Sequence, residues 1–217
     1  ITGAGTVQFG NTGTVPMGVT RLSGNVNGVS TNTFTGGANV RQSRIQIGAD
    51  TAYIGTATSP SAILSGPFGT GALNLSQATA NDGFVLEAFG GDRTIVNSLS
   101  ALGLAGGQTL GFGGHNSLTL AGAWNVNSSG GTQTRTFKVD TTQGVVTLSG
   151  TLSNSNTATF TKSGIGTLLL SGSNTFSTGL TLTLSAGVLQ MNSTSSAGSA
   201  VLSMGGGVLQ VGTAASV

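Results

Sequence analysis

Of the 217 residues 38 are glycine, about 18 per cent against a usual ~7 per cent, and only 6 per cent are charged where roughly a quarter is ordinary. Seven basic and five acidic residues leave a formal charge of +2, too sparse a field for nucleic acid, so no nucleic-acid partner is expected. A hydrophobic share of 37 per cent argues against disorder, while the absence of cysteine and the single histidine, His115, exclude disulfides, thiolate metal sites and multi-histidine zinc centres.

Ile1 in place of a methionine is read as the start of a processed or excerpted chain. Along the chain the apolar residues alternate: Arg44-Ile45-Gln46-Ile47, then Leu118-Thr119-Leu120, Val146-Thr147-Leu148 and Leu180-Thr181-Leu182-Thr183-Leu184. This period of two sends successive side chains to opposite faces of a strand. Each run is short and ends in Gly, Asn or Ser, which tolerate the backbone angles of tight corners. Helix is not expected, because Glu, Lys and Arg rarely stand in supporting i, i+4 pairs. The longest apolar candidate for a membrane helix, Leu102 to Phe112, is broken by Gly103, Gly106, Gly107 and Gln108, and the aromatic residues form no girdles. No membrane insertion is expected.

The short strands carry repeated words. Leu22-Ser-Gly24, Leu64-Ser-Gly66, Leu148-Ser-Gly150 and Leu170-Ser-Gly172 share one ending, with Leu120-Ala-Gly122 a close variant. Gly187-Val-Leu-Gln-Met191 returns 20 residues later as Gly207-Val-Leu-Gln-Val211, and Asn32-Thr-Phe-Thr-Gly-Gly37 returns as Asn174-Thr-Phe-Ser-Thr-Gly179. Imperfect repeats of this length, each holding two or three strands, predict an all-β solenoid, because one coil cannot bury its inner face until another stacks on it. The whole chain, residues 1–217, is expected to be one β-solenoid. At about 22 residues per coil it would have roughly ten coils and a length on the order of 45 to 50 Å. Stacked hydroxyls and amides on the outside explain the low charge, since like charges at strand spacing repel.

Phe160 to Gln190, with Lys162, Gly164, Gly166, Thr167, Leu168, Leu170, Ser171, Gly172, Asn174, Thr175, Gly179, Thr181, Gly187 and Leu189, resembles the autotransporter-associated β-strand repeat, also called the passenger-associated transport repeat. Phe176 stands where tyrosine is common, and Thr178 replaces one of a usual glycine pair. The best match is 160–190. The stretch from about Gly69 to Gly150 resembles the spacer coils of such proteins, and residues 1–68 match more loosely through Asn32 to Gly37. The resemblance implies a right-handed parallel β-helix exported to the cell exterior or surface, with the repeat as architecture.

Chemistry has few candidates. The acids are Asp50, Asp82, Glu87, Asp92 and Asp140, and the densest group is Asp82, Glu87, Asp92 and Arg93. Its expected neighbour one coil on, Ala101 to Gly107, has no charge, so these read as solvated turn charges. His115, in Gly113-Gly-His-Asn-Ser117, has no carboxylate nearby in sequence and reads as a turn residue. Gly90-Gly-Asp92 lacks the tandem glycine–aspartate pattern of a calcium β-roll. No catalytic, cofactor-binding or metal-binding residue is assigned. Thr-x-Thr triplets fall in Thr31–Thr35, Thr132–Thr136, Thr157–Thr161 and Thr181–Thr183; a flat ladder of this kind suits ice or a sugar surface, but threonine also stacks well for its own sake. Arg41 and Arg44, in Val40 to Gly48, read first as an exposed edge or inter-chain contact and only secondarily as a binder of anionic glycan.

The expected function is that of a non-enzymatic extracellular structural solenoid in a bacterial surface stalk, sheath or filament. Its first partner is itself: the uncharged segments Ile1 to Asn11 and Gly205 to Val217 should pair, head to tail between copies or with further coils of a longer chain. The alternative is an adhesin-type passenger whose side face binds a glycan or another surface.

Overall fold

A computed structural model of the chain describes residues 1–10, 18–24, 30–41, 43–75, 84–100, 108–127, 132–177, 179–193 and 195–212. Among these residues the fold is all-β and contains no helix. The described strands build three parallel sheets, all three visited by the middle coils and two by the coils at either end, and each of these strands stacks on the strand one coil earlier. The first sheet comprises Val7–Phe9, Ala38–Val40, Leu73–Leu75, Leu99–Ser100, Trp124–Asn125 and Leu152–Ser153. The second comprises Val19–Ser23, Arg44–Gly48, Phe84–Ala88, Gln108–Gly113, Gln133–Val139, Ala158–Ser163, Leu180–Leu184 and Val201–Met204. The third comprises Arg93–Ile95, Leu118–Leu120, Val145–Leu148, Thr167–Leu170, Val188–Met191 and Val208–Val211.

The result is a β-solenoid of about six turns, where the 22-residue coil had given roughly ten. The coil length is not constant. Phe84 pairs with Leu110 and Leu110 with Phe137, steps of 26 and 27 residues, whereas Leu184 pairs with Met204 after 20. The longest step, from Ile45 to Leu86, takes 41 residues because an antiparallel hairpin, Ala52–Thr56 with Ser59–Ser65, is inserted in that coil. A solenoid accepts such an insertion so long as the chain returns to register, since an added surface loop costs little extra closure entropy.

Inward positions form apolar columns. In the third sheet Ile95, Leu120, Leu148, Leu170 and Met191 stack in register and are all buried, Leu170 as its alternation requires. In the first, Ala38, Leu73, Leu99, Trp124 and Leu152 do the same. Phe112, Phe137 and Phe160 fall in three successive inward columns of the second sheet and meet diagonally, with Phe137 and Phe160 ring centroids 5.1 Å apart and the Trp124 ring meeting Phe137 edge-on. Stacking of like on like makes each coil a template for the next, and burial of the Leu and Phe side chains stabilises by about 1.5–3 kcal/mol each.

The repeated Leu-Ser-Gly ending has a structural cause in three of its five occurrences. Gly122, Gly150 and Gly172 stand in one corner column, where a Cβ on Gly172 would lie 2.3 Å from the Gly150 carbonyl oxygen and one on Gly150 would lie 2.2 Å from that of Gly122. Backbones of successive coils therefore touch at that corner, and only glycine fits. The other two copies are elsewhere: Leu22 and Ser23 lie within a second-sheet strand, and Leu64 and Ser65 within the hairpin.

Candidate binding face on the second sheet

Outward positions of the second sheet carry two kinds of chemistry. Over the later coils they form registered hydroxyl columns, Thr109–Thr136–Thr161–Thr183–Ser203 and, beside it, Thr134–Thr159–Thr181. Three of the four Thr-x-Thr triplets thus stack; the first, Thr31–Thr35, precedes the strand Ala38–Val40 and belongs to another part of the coil.

Over the earlier coils the same face is charged. Arg21, Gln46, Glu87 and Gly113 form one column, and Arg44, Val85, Gly111 and Lys138 form its neighbour. Arg21 Nε donates to Gln46 Oε1 (2.9 Å), Gln46 Nε2 to Glu87 Oε1 (2.6 Å) and Arg44 to Glu87 Oε2 (2.5 Å). Glu87 is 4 per cent exposed, so it is a clamped strand residue and not the solvated turn charge its sequence suggested. Burial pushes its carboxyl up, but the hydrogen bonds from Arg44 and Gln46 and the nearby positive charge outweigh this and hold it below the usual value.

Two adjoining open depressions of about 430 and 310 Å³ share Arg44 and Gly114 as lining and together make one groove over these coils. Gly111 and Gly113 lie along it, Lys138 and Asp140 border the larger part with their charges 3.0 Å apart, and Glu87, Phe89 and His115 border the smaller. Arg21 lies over the Phe89 ring at 3.7 Å from its centroid. The His115 ring, exposed at the rim, sits with Nδ1 2.8 Å from Thr142 Oγ1. Arg44 thus lines a groove, while Arg41 is not among the residues that line it.

The remaining acids do not join this group. Asp50 Oδ1 accepts the Thr94 amide and Asp92 Oδ1 accepts the Ser117 amide, each at 2.7 Å, so these two carboxylates tie one coil to the next. Arg93 Nη1 lies 4.0 Å from Asp50 and its guanidinium also donates to the Phe89 carbonyl. Asp82, and Ala101 to Gly107, lie outside the described residues.

Two cations sit inside the solenoid. Arg135 occupies the inward column above Phe160, fully buried, with Nε donating to the Val126 carbonyl, and burial lowers its pKa to about 10. Lys162 stands between Phe137 and Leu184 in the next column and donates to the carbonyls of Ser163, Gly164 and Ala186 at 2.8–3.0 Å. Burial pushes its pKa down to about 8, with Asp140 pulling the other way. The alternation held the signal for Arg135, which falls at the inward place between Thr134 and Thr136. Pairing of Arg44 with Glu87, 43 residues apart, had no local signal. No protein-family model matches the chain, and neither a curated protein nor a solved structure matches it.

Proposed function

We propose that the chain is a non-enzymatic structural segment of a bacterial surface rod, sheath or filament, located outside the cell. Its coils run right-handed, the sense that parallel crossovers adopt almost always. The observation that carries this reading is the unbroken coil-on-coil register of the last described strands. Val201–Met204 and Val208–Val211 each pair on one side only, and Leu202 and Leu209, which continue buried columns, are only half-buried. Parallel sheets stacked coil on coil suit a rod, and an open edge of such a sheet accepts a further strand readily. The resemblance of 160–190 to a passenger-associated repeat and the near absence of charge support the extracellular setting.

Sedimentation and electron microscopy over a range of concentrations test the reading. Rods that lengthen with concentration are expected from the chain itself, and higher thermal stability from a version extended by one more coil of the Gly187–Gly206 type. Monodisperse particles at high concentration, together with no gain from the extra coil, overturn it. A second reading, a side face that binds a glycan, is favoured by the groove beside Arg44 and Glu87.

A further inference from the structure

Resting on that second reading, we propose that the groove over Gly111 and Gly113 binds a neutral oligosaccharide.

The first observation is a break in the stacking rule. Hydroxyl residues dominate the outward columns of the later coils, yet the strand Gln108–Gly113 has glycine at two successive outward positions, Gly111 between Val85 and Lys138 and Gly113 beside Glu87. Glycine in a strand interior gives up packing and costs backbone entropy; at Gly111 the neighbouring coil demands it, since a Cβ would lie 2.8 Å from the Phe84 carbonyl oxygen, so Gly113 is the position left open to the groove. A Cβ on Gly113 would stand 3.3 Å from Val85 Cγ1 and 3.7 Å from Glu87 Oε2, so any longer side chain would extend into the groove.

The second observation is the kind of polar group at its border. Glu87 is fixed by two donors, Arg44 and Gln46, while Lys138 and Asp140 form an exposed ion pair, so donors and acceptors both border the groove. A sugar hydroxyl both donates and accepts, and hydrogen bonds to charged groups are the stronger ones. Phe89 with Arg21 over its ring adds a flat, partly apolar plate at the end of the groove near His115.

Charge selects the class. Two cations, Arg44 and Lys138, and two carboxylates, Glu87 and Asp140, line the groove, each cation engaged by one carboxylate. Each lining cation is thus neutralised by a carboxylate, so a polyanion gains little beyond the single charge of Arg21 over Phe89, whereas an uncharged polyhydroxyl chain needs no such field. The size, about 430 Å³ in its larger part, is that of a small-molecule site.

Saturation-transfer NMR on the intact chain tests this with cellotetraose, chitotetraose and mannotetraose as neutral probes and tetragalacturonate as the acidic one. Binding of at least one neutral probe is expected, with a Kd of about 1 mM or tighter. Thr109→Trp, which fills the groove from its border, should weaken binding at least about tenfold, and His115→Ala about threefold, without changing the melting temperature of the latter. Should Thr109→Trp fail to fold, His115→Ala decides. Absence of neutral binding at about 10 mM, unchanged binding in His115→Ala, or salt-sensitive tetragalacturonate binding about tenfold tighter than any neutral probe overturns the proposal. Rods that still lengthen while binding no saccharide defeat this inference and the binding reading, and leave the structural one standing.

Discussion

The two halves of the second sheet share a backbone and differ in what they show to solvent. From Thr136 to Thr183 the outside is a hydroxyl ladder over columns of Phe160, Leu182 and Leu184; from Arg21 to Lys138 it is charged and cut by glycines, over Ile45, Leu86 and Phe112. The parallel register is as regular in the second half as in the first. Inward side chains therefore set the coil, and outward ones vary between the halves, with buried Glu87, bonded to Gln46 in its own column and to Arg44 in the next, as the exception. The comparison predicts that a substitution's cost depends on which way the side chain points, and much less on which half it is in.

Leu170→Asp tests the inward rule most severely. Leu170 is buried between Leu148 and Met191, and a carboxylate there has no cation within its column. The loss should exceed about 4 kcal/mol, and the chain should not fold cooperatively by circular dichroism. Native-like melting of this variant would mean that the alternation of Thr167–Leu170 does not set its facing.

Lys162 sharpens the comparison, being an inward position that is not apolar. Its ammonium closes the corner after Ala158–Ser163 by bonding three carbonyls, which Lys162→Met would leave without that donor. A loss of about 2 kcal/mol at neutral pH is expected, the usual cost of stranding buried acceptors partly offset by removal of a buried charge. The pH dependence has a definite sign. Burial puts the folded pKa at about 8, below the ~10.4 of an unfolded lysine, so between these values the unfolded chain holds a proton that the folded chain has released. Stability of the parent should rise as pH goes from 8 towards 10, whereas Lys162→Met should stay flat, and the gap between them should widen. Parallel pH profiles from thermal melts would show that the carbonyls keep the ammonium charged throughout.

How much of this was legible in the sequence follows from the same division. Alternation at Leu180–Leu184 specified a strand, its facing and its stacking, because burial of every second residue leaves a period that survives in the letters. The 20-residue spacing of Gly187 and Gly207 likewise reappears as Val188 on Val208 and Leu189 on Leu209. What the letters do not carry is which coil lies on which when coil length varies. Glu87 meets Arg44 across a coil that a hairpin lengthens, and the hairpin strand Ser59–Ser65, with Pro60 and the apolar run Ala62-Ile63-Leu64, has no alternation that would mark its place in the coil. The shared ending at Leu22 and Leu64 misled for the same reason: Leu-Ser-Gly marks a corner only where the next coil's backbone presses on the glycine.

The smallest effect is expected on the outward side of the threonine half. Thr161 stands between Thr136 and Thr183, half-buried, with its hydroxyl and methyl on the solvent face. Thr161→Val keeps the β-branch, the strand preference and nearly the same volume, exchanging the hydroxyl for a methyl that can pack on the threonine methyls above and below. The two halves of that exchange oppose each other: lost hydration and any hydroxyl–hydroxyl bond on one side, added apolar contact on the other. The change should stay within about 0.5 kcal/mol and shift the melting temperature by no more than a few degrees. A loss of about 2 kcal/mol or more would mean that the ladder's hydroxyls are part of what holds the coils in register, and outward positions would then no longer be free in the half where they repeat.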